Sequence, residues 1–276
     1  MDAQPARRVQ GGCINESYRW ESRSGPLFVK VAPVGQLAMF EAEADGLRDL
    51  ARANAVRVPR VLASGADEHN AFLALEWIDL AHSSSPAASA KLGEQLARQH
   101  RVTAAQFGWH RDNTIGSTAQ VNTPSVSWAE FFRERRLRYQ LELAARNGYG
   151  GRLQELGDEL LERVAAFFAD HRPAPSLLHG DLWGGNAAVD AGGAPVIFDP
   201  ATYYGDREAD LAMTRLFGGF SAGFYSAYEA AWPLPEGART RDDLYNLYHV
   251  LNHLNLFGGG YEAQAESMLE RLLGTH

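Results

Sequence analysis

The sequence predicts an α+β protein of two lobes: a small N-terminal antiparallel β-sheet lobe carrying one helix, and a larger, mainly α-helical C-terminal lobe. Three observations carry this expectation. The first 78 residues are strand-like with a single helical interruption, and helical periodicity dominates from residue 91 onward. Two short apolar runs then break the helical part, each delivering an aspartate close to its end. The expected division is 1–78 and 79–276.

From Val9 to Trp77 the text contains a glycine turn at Gly11-Gly12, a β-branched run Leu27-Phe28-Val29-Lys30-Val31, and a later run Ala71-Phe72-Leu73-Ala74-Leu75. Between Gly35 and Asn54, Leu37, Phe40, Ala44, Leu47 and Leu50 recur at three- and four-residue steps, the mark of a helix with one buried face. The first part therefore reads β-β-β-α-β-β. The Ser/Ala/Pro stretch from His82 to Ala90 is expected to be a hinge or linker. Helices are expected over roughly Lys91–Ala105, Ser127–Asn147, Arg152–Asp170, Ala209–Phe217 and Arg241–Phe257, with a capping box at Ser127-Trp128-Ala129-Glu130. The apolar runs Ser176-Leu177-Leu178-His179 and Pro195-Val196-Ile197-Phe198 are expected to form a small hairpin.

Composition narrows the function. The 276 residues are 45% apolar and 22% charged, close to the globular average and far from a disordered chain. With 26 basic and 34 acidic residues the net charge is −8, and the longest basic cluster is Arg133/Arg135/Arg136/Arg138, so nucleic acid is not an expected partner. No run approaches the ~20 apolar residues that span a bilayer, so no membrane role is expected. A single cysteine, Cys13, cannot form an internal disulfide, and the first residues lack an apolar signal region, so a cytoplasmic location is expected.

The most informative stretch is His179-Gly180-Asp181-Leu182-Trp183-Gly184-Gly185-Asn186, with Asp199 eighteen residues after Asp181. This spacing matches a phosphotransferase catalytic loop, in which one aspartate accepts the substrate hydroxyl proton, an asparagine five positions later ligates Mg²⁺, and a second aspartate holds Mg²⁺ against nucleotide phosphates. Asp181 is thus the candidate base, and Asn186 and Asp199 the candidate metal ligands. The competing interpretation is a turn with ordinary Asp and Asn turn residues.

Nucleotide phosphates also need a cation. Lys30 is the only lysine in the first 90 residues and lies mid-strand, where it is costly without a partner; otherwise it is an edge-strand solubility lysine. Its expected partner is Glu43, three after Phe40 and four before Leu47 on the inward stripe, in preference to Glu41. Gly11, Gly12 and Cys13 lie between the first two strands, where backbone N–H groups can cover phosphates, although a Gly-Gly pair is often just a turn. Cys13 is a candidate redox switch or site of a disulfide-linked homodimer, or simply a small buried residue. Main-chain groups of Glu76 and Ile78 are placed to meet the adenine edge.

Gly180 stands where regulated protein kinases carry arginine, and the stretch from Asp199 to Asp210 is short, so control by activation-loop phosphorylation is not expected. Asp210 either caps its helix or anchors the catalytic loop. In the last predicted helix, Tyr245, His249, Asn252 and His253 form a polar and aromatic stripe that could line an acceptor pocket. A zinc reading of His249 and His253 lacks a third ligand.

Together GGCINESY, Val29-Lys30, MFEAEADGL, FLALEW, FGWHRDNTIGSTAQVN, LLHGDLWGGN, FDPATYYGDREADLAM and YHVLNHLNLFGGGY resemble the fructosamine kinase, or ketosamine kinase, family over nearly the whole chain. The resemblance implies a protein-kinase-like fold within the aminoglycoside phosphotransferase-like group. It also implies ATP- and Mg²⁺-dependent phosphorylation of the 3-hydroxyl of ketosamines, either small molecules or glycated protein lysines. Carried over residue by residue, it makes Asp181 the base, puts Asn186 and Asp199 on metal and Lys30 on phosphates. Trp183, Tyr203, Trp128 and His249 are the candidates for the acceptor side, since aromatic faces suit sugar C–H surfaces; each can equally be core packing. The sugar is not readable, and the alternatives are another hydroxyl acceptor, aminoglycoside- or choline-like, or an inactive nucleotide-binding regulator.

Overall fold

The computed structural model describes residues 6–9, 16–81 and 85–274. The chain opens with strands β1 (Arg7–Arg8), β2 (Glu16–Ser22) and β3 (Gly25–Pro33), helix α1 (Leu37–Ala53), and strands β4 (Val61–Ala66) and β5 (Asn70–Glu76). These strands make one antiparallel sheet in the order β1-β2-β3-β5-β4, so the predicted element order is the observed one. Side chains set the turns. The Asp67 carboxylate accepts the amides of His69 at 2.8 Å and Asn70 at 2.7 Å, which reverses the chain between β4 and β5. Helix α1 stops at Asn54, whose φ of 49° is a left-handed conformation that asparagine tolerates.

The remainder comprises β6 (Leu80–Ala81), α2 (Pro86–His100), β7 (Asn113–Ile115), β8 (Thr118–Gln120), α3 (Trp128–Phe132), α4 (Tyr139–Arg146), α5 (Arg152–Arg163), β9 (Ser176–Leu178), β10 (Ala187–Asp190), β11 (Pro195–Ile197) and β12 (Tyr203–Gly205). Helices α6 (Arg207–Leu216), α7 (Ala222–Ala231), α8 (Ala238–Phe257) and α9 (Tyr261–Gly274) complete it. The predicted helix over Ser127–Asn147 is α3 and α4 joined by a π-helical turn, Arg133–Arg138. Half of its capping box forms: Ser127 Oγ accepts the Glu130 amide at 3.3 Å, but the Ser127 amide donates to Ser125 Oγ at 3.1 Å rather than to the Glu130 side chain.

Several expectations are corrected. Pro86–Ala90 is not a linker but the first turn of α2: Ser85 accepts the Ala88 amide at 3.1 Å, and Pro86 sits where a missing N–H costs nothing. The two apolar runs near the aspartates do not pair with each other. β9 pairs with β12, whereas β11 pairs with β10, which also takes β6 on its other edge. Helices α7 and α9 and the β7–β8 hairpin lie outside the predicted elements. In α9 the signal was present, because Ala265, Met268, Leu269 and Leu272 are the buried residues and fall at helical spacing. In α7 only Phe224 and Tyr228 are buried, too few to make a period.

Two apolar clusters hold the elements together. One joins the sheet and α1, through Leu73, Leu75, Phe40 and Leu47, to Leu92 and Leu96 of α2, Phe224 and Tyr228 of α7, and Leu182. The other packs α3–α5 against α8 and α9. Among the described residues no helix is long and apolar enough to cross a membrane.

Helices α2 and α7 cross closely, backbone against backbone. A Cβ added at Gly93 would lie 2.2 Å from the Phe224 carbonyl oxygen, and backbone cannot give way as a side chain can. Gly93→Ala is therefore expected to destabilise the protein by about 1–3 kcal/mol, read as a lowered midpoint in urea denaturation.

Candidate active site

A cavity of about 790 Å³ opens between the sheet and the helices. Phe28, Leu75, Trp77 and Ile78 line its sheet side, and Lys30, Glu43, Asp181, Asn186 and Asp199 all reach its wall. The candidate base, metal ligands, phosphate cation and its partner, separated by up to 169 positions, are thus brought to one site.

Lys30 is buried in β3. Its Nζ donates to Glu43 Oε1 at 2.7 Å and to Asp199 Oδ1 at 2.8 Å. Burial alone would lower the pKa of the ammonium, but the charges of Asp199 and Glu43 outweigh it, so the net shift is upward and Lys30 stays charged. Burial raises the Glu43 carboxyl, with Lys30 opposing. Glu41 faces outward, 3.5 Å from Arg111, as the helical spacing predicts.

The loop after β9 is held from behind by Asp210, near the start of α6. Asp210 accepts the amides of His179 at 2.7 Å and Gly180 at 2.8 Å, and lies 3.1 Å from His100 Nε2. Burial would raise this carboxyl, but the hydrogen bond from His100 and the charges and amides around it bring it below the usual range. Of its two predicted roles Asp210 takes the anchoring one; Asp206 caps α6. His179 Nε2–H donates to the Phe198 carbonyl at 3.0 Å, which leaves Nδ1 to accept the Asp181 amide at 3.3 Å. Gly180 has φ +83°, and a Cβ there would fall 2.0 Å from the Ala201 carbonyl oxygen. No arginine fits at this position.

Asn186 Nδ2 donates to the Asp181 backbone carbonyl at 2.9 Å and to its Oδ2 at 3.2 Å. Burial, with the charge of Asp199 added, pushes the Asp181 carboxyl up to about 7. Asp199 holds φ +56°, outside the usual region for a residue with a side chain, and this turn brings its carboxylate to Lys30. With Nδ2 engaged, Asn186 keeps its amide oxygen for the cavity. Together with the Asp199 carboxylate it makes a donor set of oxygens only, which suits a hard divalent cation.

The other predicted residues fall as follows. Ile78 and Glu76 line the cavity; the Glu76 amide donates to the Arg60 carbonyl at 2.9 Å and its carboxylate accepts from Arg57 at 2.9 Å. Gly11, Gly12 and Cys13 lie outside the described residues. Of the four acceptor-side candidates, only Trp183 lines the cavity. Trp128, Tyr203 and His249 are corrected to core positions. Trp128 donates to Tyr245 at 3.0 Å inside an aromatic cluster, Tyr203 lies under the Arg136 guanidinium at 4.2 Å, and His249 is fully packed, burial lowering its pKa to about 3. Trp128 and Tyr203 serve packing and buried polar contacts, whereas His249 Nδ1 is buried without a hydrogen-bond partner among the described residues. Of the predicted stripe on α8, Asn252 and His253 reach the cavity, and the unpredicted contributors include the Asn113–Gly116 turn, Phe217, Phe257 and Tyr261. Phe257 is one turn beyond His253, so extending the predicted stripe would have found it.

Two outcomes are expected from this geometry. Glu43→Ala, which takes away one of the two carboxylates that compensate the buried Lys30 ammonium, should lose about 3–5 kcal/mol, whereas Glu41→Ala should stay within about 0.5 kcal/mol, both by urea denaturation. For Asp181, a folded-state pKa near 7 against an unfolded value of about 3.9 means that the folded protein binds the extra proton between them. That carboxyl therefore costs stability increasingly as pH rises from about 4 to about 7. In nucleotide- and metal-free protein, Asp181→Asn should raise the thermal midpoint more at pH 8 than at pH 5. An equal gap at both values would contradict the raised pKa.

Comparison with known proteins identifies the family. The family model for fructosamine kinase matches residues 1–275. The chain is 46% identical over 271 residues to a probable ketoamine kinase of Synechocystis sp., covering 98% of this chain and 90% of that protein. It is 43% identical over 269 residues to a chloroplastic protein-ribulosamine 3-kinase of Arabidopsis thaliana, covering 96% and 81%. In three dimensions it is similar to a putative fructosamine-3-kinase from Haemophilus somnus, with a TM-score of 0.90, 30% identity, and 98% and 91% of the two chains covered. The fold is the two-lobed protein-kinase-like one, and the chain belongs to the fructosamine kinase family.

Proposed function

We propose that this protein is an ATP-dependent, Mg²⁺-requiring kinase that transfers a phosphoryl group to the 3-hydroxyl of ketosamines, including sugar adducts on protein lysines. The observation that carries this reading is the convergence of Lys30, Glu43, Asp181, Asn186 and Asp199 on one cavity wall. The relatives named ketoamine kinase and protein-ribulosamine 3-kinase supply the acceptor class.

In this reading the nucleotide lies between the lobes 1–78 and 79–276, its base against Phe28, Trp77 and Ile78 and its phosphates toward Lys30. Lys30, kept charged by its two carboxylates, offsets phosphate charge without reorganising during the reaction. The acceptor hydroxyl stands beside Asp181, in line with the γ-phosphoryl. As its oxygen bonds to phosphorus, the bridging bond to the β-phosphate breaks, ADP leaves, and the hydroxyl proton passes to the Asp181 carboxylate. Asn186 fixes that carboxylate by the bond to Oδ2. The side-chain oxygens of Asn186 and Asp199 would hold Mg²⁺, which when bound neutralises charge on the phosphates.

The test is incubation with ATP, Mg²⁺ and lysine adducts of ribulose, erythrulose and fructose, followed by mass spectrometry and NMR for phosphate on O3. Transfer is expected, and Asp181→Asn should lower turnover about 10²–10⁴-fold while nucleotide affinity is kept. Bound ATP without transfer to any adduct would overturn the reading, and near-full activity of the variant would remove Asp181 as base.

A further inference from the structure

Beyond Asp181 the cavity changes character. Trp183, two residues after the base, meets the Phe217 ring edge-on with centroids 6.2 Å apart. Phe217 lies 4.9 Å from the His253 ring, which in turn lies 5.5 Å from Phe257 and 5.2 Å from Tyr261. All five line the cavity, drawn from the catalytic loop, the end of α6, α8 and the start of α9. The residues that α8, α9 and the Asn113–Gly116 turn contribute to the wall include no Asp, Glu, Lys or Arg.

His253 has a definite polarity in this setting. Its Nδ1 is 2.7 Å from the His249 carbonyl oxygen, and a carbonyl can only accept. Nδ1 therefore carries the proton, and Nε2 is left as an acceptor with no hydrogen-bond partner among the described residues. Burial lowers the pKa of this imidazole, which keeps it neutral. A bare nitrogen acceptor surrounded by aromatic rings suits a ligand that is cationic and donates N–H: ring faces attract positive charge, and Nε2 takes the proton-bearing edge.

We propose that Phe217, Phe257 and Tyr261, with His253 Nε2, form the subsite for the protonated secondary amine of the acceptor and for the first methylenes of the chain that carries it. The inference rests on the ketosamine reading above and assigns the side of the acceptor that the reaction leaves unchanged. In a ketosamine the nitrogen is four covalent bonds from O3. With O3 at Asp181, the amine must lie close by, and the ring contacts lead from Trp183, two residues after Asp181 in the chain, to Phe217 and His253 on the same cavity wall. Phe217 and Phe257 are 41% and 55% exposed, so the carrier leaves the cavity over these two rings into solvent. A free ketose offers no cation to this subsite. Selection of amine-linked sugars thus comes from ring faces and one imidazole nitrogen rather than from a carboxylate.

The test uses two acceptors with the same sugar, a 1-alkylamino-1-deoxyketose and its uncharged 1-O-alkyl ether, each assayed for kcat and KM. Wild-type protein is expected to prefer the amine by at least tenfold in kcat/KM. Phe257→Leu and His253→Ala should each shrink that preference several-fold through KM for the amine, and Phe257→Tyr, which keeps a ring face, should restore it. Phe257 is half exposed, so its variants are expected to fold, with thermal midpoints as the check. Absence of a wild-type preference, or equal losses on both acceptors, would overturn the subsite while leaving the kinase reading standing. Phosphorylation of neither acceptor would overturn both.

Discussion

The buried ammonium of Lys30 is the interaction on which the site depends. A single charge removed from water costs several kcal/mol even after the protein relaxes, and only close, hydrogen-bonded counter-charges offset this. Here they come from Glu43 on α1 and from Asp199, two residues after β11, at 2.7 and 2.8 Å. One charge therefore ties three parts of the chain, the sheet, its helix and the loop after Asp199, to a common point. The same arrangement leaves an excess of negative charge, since Asp181 shares the site with Glu43 and Asp199. That excess, added to burial, raises the carboxyls of Asp181 and Glu43. A divalent cation between Asn186 and Asp199 would act against the same repulsion.

The second constraint is the backbone of the loop that carries Asp181. Asp210 accepts two successive amides, and Gly180 allows the turn that presents them. Because the Ala201 carbonyl oxygen occupies the place of a Cβ, the loop and the Asp199–Ala201 segment are packed backbone against backbone. A buried relay supports that segment from the other side: Asn113 and Gln120 donate to the carbonyls of Thr202 and Ala201, Asn122 donates to Asn113, and Arg136 donates to Asn122. The β7–β8 hairpin thus serves both as cavity wall and as a brace for the residues following Asp199. These bonds fix the backbone carbonyls of Ala201 and Thr202, while Arg136 Nε and Thr202 Oγ1 stay without a hydrogen-bond partner among the described residues.

The chemistry is divided along the cavity. Charged groups cluster where phosphate and proton would move, and uncharged aromatic side chains occupy the end built by α8 and α9. This division explains why three of the aromatic and histidine candidates proved to be core. Trp128, Tyr203 and His249 lie under the wall and carry it, while residues one turn further along α8, or on α9, face the space.

The sequence by itself determined the local events. Strand-like apolar runs and a 3.6-residue period placed the sheet and α1, Ser127 and Glu130 marked a helix start, and the spacing of Asp181, Asn186 and Asp199 matches that expected of a phosphotransfer loop. Even the choice of Glu43 over Glu41 follows from which face of α1 is apolar, since a helix turns a side chain to a new face every 100°. Tertiary structure decided what depends on approach between distant segments. The partner of β9 is β12 and that of β11 is β10, because three-residue strands carry too little pattern to specify their register. Whether an aromatic side chain is core or wall was likewise unreadable, because both environments favour the same residue types and only the packing of α8 and α9 around the cavity separates them.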